Sequence, residues 1–332
     1  MAWLSPFGRK EGWQKTVDIS VVVVTYNRAG MLRQALKTLV NQVTEDKFSC
    51  EILVIDDGST DMTADIVDNF VGNSPKSVRY VYKEHGGEGD ARNKGVSEAR
   101  GEWIAFFDDD QLAEPVWLAE LYKIAQEKGV ACVDGPLLLK LPDSSHLHLG
   151  PKSRKLLGEK IFAPNTGLHL PTYYVGAGNV LIRKSLFEEL GLFDVTFRQG
   201  VDTDFFWRLE KNGFHFYYSP RAVGYHVIPD WRLQVPYLRK ICLRRGVADA
   251  RIRLKYEEAP QLILAIFWRI GLALGRDIPF ILLAGMLKDQ SMFLDSWIGL
   301  WSKIGFFRKI LFSIVPGLFP QREFFSSLEE HL

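Results

Sequence analysis

Cysteine is scarce in this chain. Cys50, Cys132 and Cys242 are scattered through 332 residues and lack the paired spacing of a zinc site or a disulfide framework. They suit a reducing compartment. A charge excess of one sign is missing too: 41 Lys and Arg stand against 40 Asp and Glu, a formal net charge of +1, so no global basicity points to nucleic acid. The opening "MAWLSPFGRKEGWQKTVDIS" has no apolar core of signal-peptide length, an expectation against export. No internal repeat and no low-complexity tract is present. Long apolar runs are also lacking: the longest uncharged one in the last quarter, Ile310 to Gln321, contains Pro316 and falls short of the roughly 18 to 20 residues of a membrane span.

What is there is an ordinary globular composition, 47% apolar and 24% charged, with core enough for one large domain or two modest ones. "ISVVVVTYN" reads as a strand running into a polar turn, and "AGMLRQALKTLVNQ" follows with helical spacing. "EILVIDDGST" and "DMTADIVDNF" repeat the pair, "SVRYVYKE" and "GDARNKGVSEAR" repeat it again, and "EWIAFFDDD" is a fourth strand. This order predicts an α/β, Rossmann-like, doubly wound and mostly parallel sheet, whose ligands gather at the carboxyl ends of the strands. After residue 110 the pattern is less regular and predicts a smaller mixed sheet with a long loop over 142–172. From Ala259 to Phe325 the chain is rich in Leu, Ile, Phe and Trp, repeatedly interrupted by charge. That profile predicts amphipathic helices lying on a membrane surface; the alternative is a helical subdomain packed on the body.

Three polar clusters close the predicted strands. In "FFDDDQL", extended alternation would turn Asp108 and Asp110 to one face and Asp109 to the other, and two convergent carboxylates form a hard-oxygen site for Mg²⁺ or Mn²⁺. In "IDDGSTD", Asp57 is either a turn former or an acceptor for a nucleobase imide N–H. In "HGGEGDARNKG", Arg92 stands where the third glycine of a dinucleotide fingerprint belongs, and the loop follows the third strand, not the first, which argues against a dehydrogenase.

The series "VVVVTYNRAGMLRQAL", "VIDDGSTD", "GDARNKGVSEARGEWIAFFDDD" and "NVLIRKSLFEELGLFDVTFRQGVDTDFFWRLEKNGFHFYYSPRAVGYH" resembles family 2 of the nucleotide-sugar glycosyltransferases, which have the GT-A fold. The resemblance runs from about residue 18 to 226, and is closest in kind to bacterial members that build exopolysaccharide and other surface glycans. It implies an inverting, metal-dependent transfer from a nucleoside-diphosphate sugar to a glycan or polyprenyl-linked acceptor. Thr25, Tyr26, Asn27, Asp57 and Arg92 would hold the nucleotide sugar, with Asp108 and Asp109. Asp110, Asp108 and His226 would serve Mn²⁺ or Mg²⁺, and Asp202 in "GVDTDF" would be the general base. Many relatives carry an acidic residue immediately before that base. Here it is Val201, which leaves Asp204 as a second candidate, though on a helix the two side chains point about 200° apart. The Q-x-x-R-W motif of processive synthases is absent, implying one sugar per encounter.

The implied organisation is an N-terminal arm over 1–17, a nucleotide-sugar half over 18–110, an acceptor and base half over 111–230, and a basic linker with an amphipathic helical tail over 231–332. Residues 231–256 carry eight Lys and Arg against Asp249 alone, which suits anionic headgroups or the diphosphate of a lipid-linked acceptor. The expected location is therefore the cytoplasmic face of the cell membrane, peripherally bound. Two rivals stand beside this reading. A sugar nucleotidyltransferase would need a glycine-rich arginine loop after the first strand, which "TYNRAG" lacks. A non-catalytic protein of the same fold would not need Asp202.

Overall fold

The computed structural model describes residues 17–143, 147–162, 167–169, 175–197 and 200–315. Most of the N-terminal arm, His146 and parts of the 142–172 loop, and the start of "YYVGAGN", lie outside the described residues. The chain begins with β1 (Ile19–Thr25), α1 (Ala29–Leu39), β2 (Cys50–Asp56), α2 (Thr63–Asp68), β3 (Ser77–Tyr82), α3 (Glu88–Glu98) and β4 (Trp103–Asp108). There follow β5 (Gln111–Ala113), α4 (Trp117–Lys128), β6 (Cys132–Asp134), β7 (Leu137–Lys140), α5 (Pro151–Leu156) and β8 (Gly167–His169). Then come β9 (Asn179–Arg183), α6 (Ser185–Leu190), α7 (Val201–Lys211), β10 (Phe216–Tyr218) and β11 (Gly224–Val227). Helices close the chain: α8 (Val235–Tyr256), α9 (Ala259–Leu272), α10 (Ile278–Leu287) and α11 (Gln290–Ile314).

The main sheet has eight strands in the order β3-β2-β1-β4-β9-β6-β10-β8. Strands β3, β2, β1 and β4 are parallel throughout, and β9 then enters antiparallel between β4 and β6. One sheet thus carries both halves of the chain. Period-two alternation decides what each face buries. Val21, Val23, Ile52, Val54 and Phe107 meet Leu32, Leu36, Trp117 and Leu121 of α1 and α4. Val22, Leu53, Ile55 and Phe106 meet α3, α6 and α7, where Phe187 stacks on Phe205 at 4.6 Å. A second sheet, β5-β11-β7, crosses below the end of β4 and holds His226.

Helices α8 and α11 pack along one another through glycine. A Cβ on Gly246 would strike the Ser302 carbonyl and stand 2.7 Å from the Phe306 amide nitrogen, and one on Gly305 would strike the Leu243 carbonyl. The backbones therefore touch, and no side-chain rotation relieves a larger residue.

Beyond α8 the structure corrects one expectation from the sequence. Arg269, Arg276 and Asp277 do not break the apolar segment into short pieces. A π-turn over Ala273–Asp277 joins α9 to α10 in a continuous helix, Ala259–Leu287, of 29 residues, long and apolar enough to cross a membrane by length and composition. The charges are absorbed inward: Arg269 pairs with Asp249, and Asp277, fully buried, pairs with Lys303 and lies 3.3 Å from Lys152. Ala265 and Ala284 fill the rest of the inner face, while Leu264, Trp268, Leu282 and Met286 are exposed.

Gly246→Val should destabilise the helical region by about 1–3 kcal/mol or more, because the clash is with backbone. Chemical denaturation together with limited proteolysis of α8 and α11 checks this; a variant as stable and as protease-resistant as wild type contradicts the close packing.

Candidate active site

The acid triplet is a turn, which corrects the alternation expected from the sequence. Extended backbone ends at Asp108; Asp109 and Asp110 form the tight link into β5, so they no longer face opposite ways. Arg28 reaches both, with Nη1 3.2 Å from Asp109 and 3.3 Å from Asp110. Asp109 is buried and accepts the Thr25 hydroxyl at 2.8 Å, which ties the ends of β1 and β4 together. Asp108 opens toward the cavity. Its carboxylate takes Arg92 Nη2 at 3.3 Å and Gln111 Nε2 at 3.1 Å.

Burial and mutual repulsion act on all three carboxyls. Burial pushes Asp109 up to about 7, against the pull of Arg28. Burial raises Asp108 too, against Arg92. Asp110 goes the other way: in spite of its desolvation, His226, Arg232 and Arg28 hold it well below the usual carboxylate range. Asp110 is therefore the fixed anion of the set.

Around Asp110 the chemistry is that of a cation site. Its Oδ2 lies 3.4 Å from His226 Nε2, and Arg232 Nη1 sits between them, 2.9 Å from the carboxylate and 3.0 Å from the imidazole. The other ring nitrogen, Nδ1, is a buried atom without a hydrogen-bond partner. A carboxylate oxygen and a ring nitrogen thus converge on one positive nitrogen. The pair fits a divalent cation that takes its remaining ligands from substrate phosphates. Among the described residues no cluster of three or more His, Cys, Asp or Glu forms a closed metal site.

Asp108, His226 and Arg92 line a cavity of about 920 Å³ together with Asp202, Glu88, Lys160, Trp207 and Arg245. Asp202 begins α7 after Gly200, whose φ of +71° is left-handed backbone suited to glycine. Its carboxylate accepts the Ala177 amide at 3.2 Å and the Thr203 amide at 2.8 Å. Asp204 points into the body, where Arg208, Lys255 and Tyr256 hold it. Gly178 gives Asp108 its room, since a Cβ there would strike the Asp108 carboxylate and Gln111.

Thr25, Tyr26, Asn27 and Asp57 are not part of that cavity wall; they lie along the neighbouring strand ends. Asn27, at φ +50°, accepts the Thr60 amide at 2.8 Å through Oδ1. Asp57 is buried and spends its carboxylate on the glycine loop: the Gly86 and Gly87 amides donate to it at 2.9 and 2.8 Å, and Lys83 at 2.5 Å. This carries His85 beneath Tyr26, the rings stacked at 4.3 Å, and both are partly exposed as an aromatic platform.

Arg28 and Arg232 reach the acid turn and Arg245 lines the cavity, placements that no motif marked. Arg28 follows "TYN" directly, and the other two sit in the basic stretch, where spacing alone does not say which cations turn inward.

An acid turn, an aromatic platform and a cavity with a second carboxylate thus gather at the strand ends of a Rossmann-like sheet. The model of glycosyl transferase family 2 matches residues 20–191, and the chain belongs to that family. It is similar to the succinoglycan biosynthesis protein ExoM of Rhizobium meliloti, 27% identical over 78% of this chain and 81% of that one. It is also similar to the glycosyltransferase GlyG of Streptococcus pneumoniae, 36% identical over 35% of this chain and 38% of that one. The crystal structure of S. aureus TarS aligns with 84% of this chain and 54% of that one, at 18% identity and a TM-score of 0.49.

Asp57→Ala leaves two amides of the glycine loop without an acceptor. It should cost about 1–3 kcal/mol in denaturant unfolding and speed amide exchange at Gly86 and Gly87. Unchanged exchange there would show that the loop does not depend on this carboxylate.

Proposed function

We propose that this chain is an inverting glycosyltransferase that moves one sugar from a nucleoside-diphosphate sugar to a glycan or lipid-linked acceptor, in the synthesis of a bacterial surface polysaccharide. The observation that carries this reading is the shared cavity, which brings Asp108, Arg92 and His226 to face Asp202. ExoM, by its printed name, serves succinoglycan biosynthesis, and that supports the polysaccharide part.

Each residue has a task in this reading. Tyr26 and His85 stack against the base, while Asp57 and Asn27 keep their loops in place beneath it. Thr25 and Asp109 tie the two strand ends that form the floor. Arg92 is held by Glu88 at 2.7 Å and Asp108, and faces the ribose and diphosphate. Asp110 and His226, with Asp108 beside them, would hold Mg²⁺ or Mn²⁺. Bound there, the ion would neutralise the charge that develops on the departing nucleoside diphosphate. Arg28 and Arg232 supply positive charge to the same oxygens. Asp202 takes the proton from the acceptor hydroxyl as that oxygen attacks the anomeric carbon from the face opposite the leaving group. Two backbone amides orient its carboxylate, Ala177 on Oδ2 and Thr203 on Oδ1.

The outer face of α9 and α10 supports peripheral contact with a membrane. An 18-residue apolar window there is 11% buried, and its charges point inward, the reverse of a water-facing helix. The location we infer is the inner face of the cell membrane.

Asp202→Asn should lower turnover by about a hundredfold or more while donor binding, read by thermal shift with UDP-, GDP- and dTDP-sugars, stays as in wild type. Retained turnover would remove Asp202 from the mechanism. Leu264→Glu with Phe267→Glu, both on the exposed face, should cut flotation with liposomes by about tenfold without changing the melting temperature. Equal flotation of variant and wild type would refute membrane contact by this helix.

A further inference from the structure

The wall of the cavity opposite the acid turn is built by the C-terminal helices. Arg245, Ala248, Asp249 and Ile252 of α8 line it at helical spacing, and Ser302 of α11 joins them. Two glycines dictate this register. Gly246 lays α8 on the backbone of α11, and Gly200 leaves Ala248 at van der Waals distance, 3.4 Å from a Cβ built at that position. Arg245 then turns into the cavity on the same side as Asp202.

Several of the other cavity charges are paired at close range. Arg92 is met by Glu88 and Asp108, and Lys160 lies 3.6 Å from Asp134. Glu159 is met by Arg154, and Asp249 by Arg253 and Arg269. Arg245 donates Nη1 to the Lys155 carbonyl at 3.1 Å, and among the described residues no carboxylate lies within ion-pair distance of it. Desolvation lowers its pKa, with Cys242 and the Asp202 carboxylate acting the other way. Arg245 lines the cavity while remaining exposed to solvent, and a guanidinium with one edge open matches a phosphate in two-point contact. The same helix runs on, through Glu257 and Glu258, into the exposed apolar helix Ala259–Leu287.

We propose that Arg245 is an acceptor-phosphate subsite, and that the acceptor is therefore a glycan carried on a lipid phosphate or diphosphate, its sugar hydroxyl at Asp202 and its lipid leaving along the apolar helices. This rests on the reading of Asp202 as the base on the acceptor side. It separates Arg245 from the surface cations of its stretch, which the sequence assigned together to headgroups or to such a diphosphate.

The test measures binding by the full chain to farnesyl diphosphate, farnesol, UDP, GDP and dTDP in detergent, and to vesicles of phosphatidylglycerol, for wild type, Arg245→Gln, Arg245→Lys and Asp202→Asn. Wild type should bind farnesyl diphosphate well above farnesol. Arg245→Gln should lose about tenfold or more of that affinity, Arg245→Lys should keep part of it, and both should bind the nucleoside diphosphate as wild type does. Equal losses for farnesyl and nucleoside diphosphates would assign Arg245 to the donor and overturn the proposal. Unchanged farnesyl diphosphate binding would overturn it too, as would a loss confined to vesicles of phosphatidylglycerol, which would place Arg245 at headgroups. Asp202→Asn should bind farnesyl diphosphate normally. If that variant turns over while the Arg245 pattern holds, the base assignment fails and the phosphate subsite stands.

Discussion

Three consecutive carboxylates at the end of one strand repel one another, and the site exists because guanidiniums from distant parts of the chain stand among them. Arg28 comes from the turn after β1, Arg92 from α3 and Arg232 from the turn before α8. Removing a partner from the one pair buried on both sides, Arg232 with Asp110, costs about 3–5 kcal/mol, because the remaining charge cannot be rehydrated in place. The arginines therefore do two things at once. They let the turn fold, and they help to hold Asp110 ionised.

The same constraint links the halves of the molecule. Arg232 belongs to the segment leading into the C-terminal helices, so the acid turn is completed by a residue that follows the family-matched region. Further along, α8 supplies the facing wall, and Asp295 on α11 accepts the Lys152 and Ser153 amides at the start of α5. That helix leads to Gly158, where a Cβ would crowd His226 at 2.8 Å. The helical region is thus part of the cavity wall as well as an apolar outer surface.

Much of the fold was legible because its signals are local. The β-branched runs "ISVVVVT" and "EILVID" bury both faces, and the polar residues at their ends mark where a parallel sheet offers its ligand sites. The helical spacing in "VDTDFFWRLEK" already separated Asp202 from Asp204. Local signals failed where a turn or a partner decides. Nothing in "FFDDDQ" says that extended backbone stops at Asp108, because β5 pairs with β11, more than a hundred residues on, and pulls the chain round. Nor did the charges in the apolar tail reveal that they would be neutralised inward, leaving the helix continuous.

The sequence by itself determined the strand and helix order, the family, and the acidic, aromatic and glycine residues that reach the strand ends, since each depends on periodicity or on neighbours a few positions apart. Tertiary structure alone decided which cations meet those acids, that Asp57 holds the glycine loop, and that Arg245 lines the cavity. Charge pairing depends on distance in space and on exclusion of water, and neither is written in the spacing of residues along the chain.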